Sequence, residues 1–221
     1  MQRVPEPELM DDPAQVLAYA QADFSEPHRM FVETFKERFP GTAGDESVLE
    51  LGCGSADVTI RFAIAFPRCV IDAVDGAQGM LEQGLRALDR AGLSERIRLL
   101  YGYIPTLNLP RDSYDIIISN SLLHHLNDPA NLWQTIRKFG RLGTCVLVMD
   151  LRRPTDSAAA WDLVNFHAAS EPAILQRDFY NSLCAAYEPD EVRKQLEHAG
   201  LGYFGMEVIS DRHTIVYGRL A

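Results

Sequence analysis

A chain of 221 residues, 47% of them hydrophobic, is long and apolar enough for one sizeable core, and it reads as a single unit over 1–221 with an N-terminal helical region at 1–41 and a helical cap insert at 155–187. A formal net charge of −10 opposes binding to a phosphate backbone and argues against nucleic acid as the substrate. Four scattered cysteines with no CxxC pair, an acidic start (MQRVPEPELMDDPAQ) unlike a signal peptide, and no apolar run of membrane-spanning length point to the reducing cytoplasm and to no membrane partner.

In chain order, Ala14 to Phe39 carries apolar residues at helical spacing, interrupted at Pro27, and predicts two helices or one kinked helix. From Ser47 to Asp150 short β-branched runs alternate with amphipathic stretches. The predicted strands are Ser47–Leu51, Cys69–Asp75, Ile97–Tyr101, Tyr114–Ser119 and Thr144–Asp150, and the predicted helices are Asp57–Phe66, Ala77–Ala91 and Pro129–Arg141. Thr155 to Tyr187 is helical in composition and rich in aromatics, and Pro189–Ala199 predicts a further helix. Two last strand candidates, Tyr203–Ser210 and His213–Arg219, are separated by Asp211-Arg212, too few residues for a parallel crossover, so they pair antiparallel. The sum is an α/β fold: a doubly wound, mostly parallel seven-stranded sheet with an antiparallel last strand, helices on both faces and a helical cap.

The first strand runs into Gly52-Cys53-Gly54-Ser55-Ala56, a turn that lets a ligand approach the backbone at the carboxyl end of the sheet. Asp75 closes the second strand 21 positions after Gly54, where a carboxylate can accept from both hydroxyls of an adenosine ribose. A dinucleotide fingerprint would place a small residue where Asp57 stands, and a negative charge there disfavours pyrophosphate. S-adenosylmethionine (SAM) carries a sulfonium, an ammonium and no phosphate, so Glu50 and Asp57 suit it.

With these residues the sequence resembles the class I SAM-dependent methyltransferases, specifically the ubiquinone/menaquinone-type small-molecule group, over about Ser47 to Asp150 and more loosely in the N-terminal helices and final hairpin. The resemblance implies that Glu50, Gly52, Cys53 and Gly54 contact the methionine part of SAM, Asp75 the ribose, and Gly76 and Met80 the adenine. Tyr114 to Leu126, with Asn120 and the paired His124-His125, matches the fourth strand and its loop. Where many members have Gly-Asp after the third strand, this chain has Gly102-Tyr103-Ile104, so adenine recognition falls to backbone groups and to packing by Tyr103 and Ile104.

Methyl transfer is an in-line displacement driven largely by positioning, and a base is needed only for an acceptor that must lose a proton. His124 and His125 are the catalytic candidates. No metal is expected, because the pair plus Asp128 lacks a third ligand. Arg152 or Arg153 can fork onto an acceptor carboxylate or phosphate, with at least one of them left to solvent. The aromatic cap offers His167, Phe179 and Tyr180 as acceptor contacts, with Tyr19, Phe24 and His28 as weaker candidates for the opposite wall, and His213 is given a structural role. The expected activity is SAM-dependent methyl transfer to a small-molecule acceptor by a monomer or homodimer. The alternatives are SAM-binding chemistry other than methyl transfer, a non-catalytic partner subunit, and a nicotinamide-dependent oxidoreductase, the last disfavoured by Asp57.

Overall fold

The computed structural model describes residues 1–42 and 44–221. Its sheet has the order β3-β2-β1-β4-β5-β7-β6, with β1 at Ser47–Leu51, β2 at Val70–Asp75, β3 at Ile97–Tyr101, β4 at Tyr114–Asn120, β5 at Gly140–Leu151, β6 at Gly205–Val208 and β7 at His213–Arg219. Strands β1 to β5 pair parallel, and β7 runs antiparallel to both β5 and β6. The helices are α1 (Pro13–Gln21), α2 (Ser25–Arg38), α3 (Asp57–Ala65), α4 (Gln78–Ala91), α5 (Ala130–Phe139), α6 (Ser157–His167), α7 (Ala173–Ala185) and α8 (Pro189–His198).

The period-2 geometry of a strand sorts the central residues into two cores. Val48, Ile116, Ile118, Leu147 and Met149 face α2 and α3, sharing a core with Phe31 and with Phe35, whose ring meets those of Phe62 and Phe66 edge to face. Their chain neighbours Leu49, Ile117, Val146 and Val148 face the other way, onto Trp133 and Ile136 of α5 and Leu196 of α8. Burial on both faces explains why these strands read as continuous apolar runs. Helix α4 buries Met80, Leu81, Gly84 and Leu88 at helical spacing and stops at Gly92, whose φ of 67° closes the C-terminus.

Some boundaries differ from the sequence expectation. The break between the first two helices falls at 22–24, not at Pro27, which sits in the first turn of α2, where a missing N–H costs nothing. Strand β5 starts earlier than Thr144, at Gly140, through an irregular register with Tyr114 in which Gly143 takes φ 87° and Arg141 turns outward, a pattern without apolar alternation. Strand β6 is shorter than Tyr203–Ser210, because 201–204 form a turn closed by Phe204 N donating to Leu201 O at 2.9 Å. The cap is two helices, α6 and α7, packed through Ala160, Val164 and Leu183 onto Leu151. No helix among the described residues is long and apolar enough to cross a membrane.

Candidate active site

At the carboxyl ends of the strands, β1 runs into Gly52 (φ 76°) and Gly54 (φ 51°). The amides of Gly52 and Cys53 both donate to Val74 O, at 2.9 and 3.0 Å, which turns the chain back over β2. A Cβ on Gly52 would lie 2.9 Å from Leu122, whereas one on Gly54 would meet nothing within 4 Å. The first glycine therefore serves packing, and the second leaves open space beside the backbone. Asp75 joins this loop to the next: its Oδ2 accepts from Gly54 N at 2.7 Å and its Oδ1 from Ala77 N at 2.8 Å. Burial raises its carboxyl above the usual range, and these amides oppose the rise.

Glu50 is 1% exposed, and its Oε2 is buried with no hydrogen-bond partner. Burial pushes this carboxyl up to about 8. Asp57 has a different fate from the one expected. Its Oδ2 lies 2.6 Å from His28 Nδ1 and 2.7 Å from Arg61 Nε, and although burial opposes ionisation these two partners hold the carboxyl below its usual range. The charge of Asp57 is thus already matched within the protein, which leaves Glu50 as the unmatched acid beside the loop. Asn120, at the end of β4, likewise buries an Oδ1 without a partner.

A cavity of about 510 Å³ opens over these groups, within the range for small-ligand sites. The lining includes Glu50, Gly52, Cys53, Gly54, Asp75, Gly76, Met80, Tyr103, Ile104 and Asn120 on the glycine-loop side, with His124 and His125 beyond them. Tyr19, His28, His167 and Phe179 form the opposite wall. Tyr103 bonds to Tyr101 through the two hydroxyls at 2.6 Å, and its ring edge lies 2.8 Å from the position of a Cβ on Gly76, so it borders the cavity without closing it. Burial, then the carboxylates of Asp75 and Asp57, push the Tyr19 phenol up to about 12.

Two expected acceptor contacts lie outside this lining. Tyr180 stacks on Trp161 at 4.5 Å between α6 and α7, and Arg152 is held by its backbone, bridging to Tyr187 and donating to Arg212 O. Nor is Arg153 solvated: its guanidinium is buried against Glu188 and Glu191, each at 3.0 Å. In their place Arg212, beside His167, reaches the cavity from the loop before β7, with His213 next to it. A neighbouring Asp-Arg pair in a four-residue loop carries no local pattern that points to this.

The histidine pair lies on a single 3-10 turn, Leu123–His125. Asp150, from the end of β5, fixes it from below: Oδ1 meets His124 Nδ1 at 2.6 Å and Oδ2 accepts from Leu123 N at 2.7 Å. From above comes a segment missing from the sequence reading, the strap ahead of α1. Arg3 donates to the carbonyls of His124 (2.9 Å) and Leu126 (3.2 Å) and lies over the Tyr187 ring, while Val4 N donates to Cys184 O. This carries the half-buried Glu6 to the histidines, with Oε1 3.5 Å from His124 Nε2 and 3.4 Å from His125 Nδ1. Burial opposes the charged form of His124, but Asp150 and Glu6 hold its pKa above the usual value; burial and His124 push His125 down to about 3.

Residues 48–143 match a family model described as a methyltransferase domain. A malonyl-[acyl-carrier protein] O-methyltransferase of Priestia megaterium is 31% identical over 121 residues, covering 55% of this chain and 40% of that protein. The chain spans well under half the length of such curated relatives, 40% and 35% in two of them. Among solved structures, a SAM-dependent methyltransferase from Aquifex aeolicus superposes with a TM-score of 0.68 at 17% identity, over 93% of this chain and 97% of that one. A plantazolicin methyltransferase, solved with a substrate analogue and S-adenosylhomocysteine, gives 0.71 at 12% identity over 95% and 92%. At these identities the structures speak to the fold alone.

Proposed function

We propose that this chain, which belongs to the class I SAM-dependent methyltransferases, transfers the methyl group of SAM to a small-molecule acceptor within one domain spanning 1–221. The observation that carries the reading is a single cavity joining the glycine loop, Glu50 and Asp75 to the histidine pair and the cap. The residues present fit the cofactor. Glu50 Oε2 and Asn120 Oδ1 are buried acceptors without partners, and Gly54 leaves open space at the turn. When bound, SAM supplies a methyl group on a positively charged sulfur, already activated for displacement.

The chain's own residues do the rest. A cationic ligand beside Glu50 draws its raised carboxyl back toward the ionised form, which favours a cation over a phosphate. The lone pairs of Asp75 not taken by Gly54 and Ala77 accept from ribose hydroxyls. Tyr103 and Ile104 flank the adenine. Tyr19 and Phe179 wall off water and shape the acceptor pocket, with Arg212 and His167 as its polar contacts. His124 is held in one orientation through Nδ1 by Asp150, so its Nε2 is the nitrogen positioned to take an acceptor proton, and the carboxylate stabilises the resulting imidazolium. His125 contributes a neutral ring beside it. Four unpaired, buried cysteines are consistent with work in the reducing cytoplasm as a monomer or homodimer.

Thermal unfolding tests the reading. SAM and S-adenosylhomocysteine raise the melting temperature, by about 2.7 kcal/mol of stability at a hundredfold excess over Kd, and NAD does not. Asp75→Ala weakens SAM binding at least tenfold, about 1.4 kcal/mol, by calorimetry. No shift with millimolar SAM sinks the proposal.

A further inference from the structure

We propose that Glu6, His124 and His125 form a binding site for a divalent transition metal of the zinc type, with an open coordination position facing the cavity. Their ligand atoms all lie within 4.8 Å of one another. The decisive quantity is the spacing. Glu6 Oε1 stands 3.5 Å from His124 Nε2 and 3.4 Å from His125 Nδ1, well beyond the roughly 2.9 Å of a good N–H···O bond. Tetrahedral zinc with bonds of about 2.0–2.1 Å to nitrogen and oxygen separates its ligands by about 3.4 Å, so Glu6 Oε1 already stands at that edge length from each of the two imidazole nitrogens.

The surroundings agree. Glu6 Oε1 is buried and has no hydrogen-bond partner, the state of a donor atom awaiting a ligand. His124 presents Nε2 because Nδ1 is committed to Asp150, the carboxylate–histidine arrangement that orients imidazole ligands around zinc. Asp150 is itself locked by Leu123 N, and Glu6 is held by the strap bonds of Arg3 and Val4. The cost is one weak contact, His125 Nδ1 to Pro7 O at 3.4 Å, lost when that nitrogen binds a metal.

Three protein ligands leave the fourth position to an exogenous donor, as in catalytic rather than structural zinc sites. Because both histidines line the cavity, that donor is an acceptor with an ionisable oxygen, nitrogen or sulfur. Metal binding stands independently of the methyl-transfer reading, and only this use of the metal rests on it. A metal on Nε2 takes the place of His124 as a base and acts as the Lewis acid instead.

The test is titration of chelator-treated full-length protein with Co²⁺ and Zn²⁺. The expected result is one equivalent per chain, the intense visible bands of tetrahedral cobalt, and their loss on adding Zn²⁺. Affinity falls at least tenfold in Glu6→Gln and in His125→Ala, and tenfold to a hundredfold in Asp150→Asn, while His198→Ala, an exposed histidine on α8, leaves it unchanged. Circular dichroism checks folding, and if His125→Ala fails to fold, Glu6→Gln decides. Absent cobalt bands, binding indifferent to Glu6→Gln, or binding lost in His198→Ala overturns the site. SAM-induced melting shifts on the metal-free protein are read separately, so failure of one proposal is distinguishable from failure of the other.

Discussion

Asp72 and Glu50 sit on neighbouring parallel strands, each 1% exposed, and they face opposite sides of the sheet: Asp72 pairs in register with Leu49, Glu50 with Ala73. On one face Asp72 accepts from Arg98 Nε and from the Tyr114 hydroxyl, both at 2.7 Å. On the other Glu50 has an oxygen with no partner at all and opens onto the cavity. The two acids are equally buried, so burial does not distinguish scaffold from site. What distinguishes them is whether the protein itself satisfies the charge. An acid that the fold satisfies serves stability, and one left wanting costs stability and is available to a cationic ligand.

The largest effect expected of this contrast is in Asp72→Ala, which strands the Tyr114 hydroxyl in the core and costs about 1–3 kcal/mol in urea unfolding. SAM affinity stays unchanged, and a parallel loss of affinity breaks the distinction. Glu50→Gln does the reverse: the apo protein gains stability at pH 8, while SAM binding weakens about tenfold, or roughly 1.4 kcal/mol. A Gln variant that is less stable than the parent at that pH makes Glu50 another scaffold acid.

The pH dependence sharpens the point. The Glu50 carboxyl has its folded pKa raised to about 8 from a reference of 4.5, so the folded state holds a proton that the unfolded chain has released between those values. Its contribution is most favourable below about pH 4.5, declines as pH rises through that window, and is lost above about 8. A melting scan of the parent minus that of Glu50→Gln should show this slope, and saturating SAM should flatten it. The smallest effect concerns Ala56, which caps α3 in the left-handed region at φ 67° beside the loop. Ala56→Gly relieves about 1–2 kcal/mol of backbone strain and gives back 0.4–1 kcal/mol to the unfolded chain's entropy, for a net gain of about 1 kcal/mol or less.

The sheet was legible because its strands are buried on both faces and carry their apolar runs unbroken, and the meeting of the glycine loop with Asp75 because both stand at the ends of adjacent strands. Asp57 shows the limit of local spacing: its charge was readable, but its contact with His28, 29 positions earlier, was not. Arg152 and Tyr180 stood at plausible positions, yet which way a side chain leaves a strand end or a helix depends on packing that no local pattern encodes. Local spacing offers the histidine pair only Asp128, which instead accepts from Ala130 N. The group that arrives is Glu6, 118 residues from His124, delivered by Arg3 binding carbonyl oxygens that any sequence would offer.

The strap also sets a timetable. Residues 3 to 8 leave the ribosome long before the carbonyls and amides they bind at 124, 126, 127 and 184 have been made. A nascent chain can therefore complete the glycine loop and the first parallel strands while the histidine end of the cavity still lacks its roof. The histidine end of the cavity is closed by a segment translated well before the residues it covers.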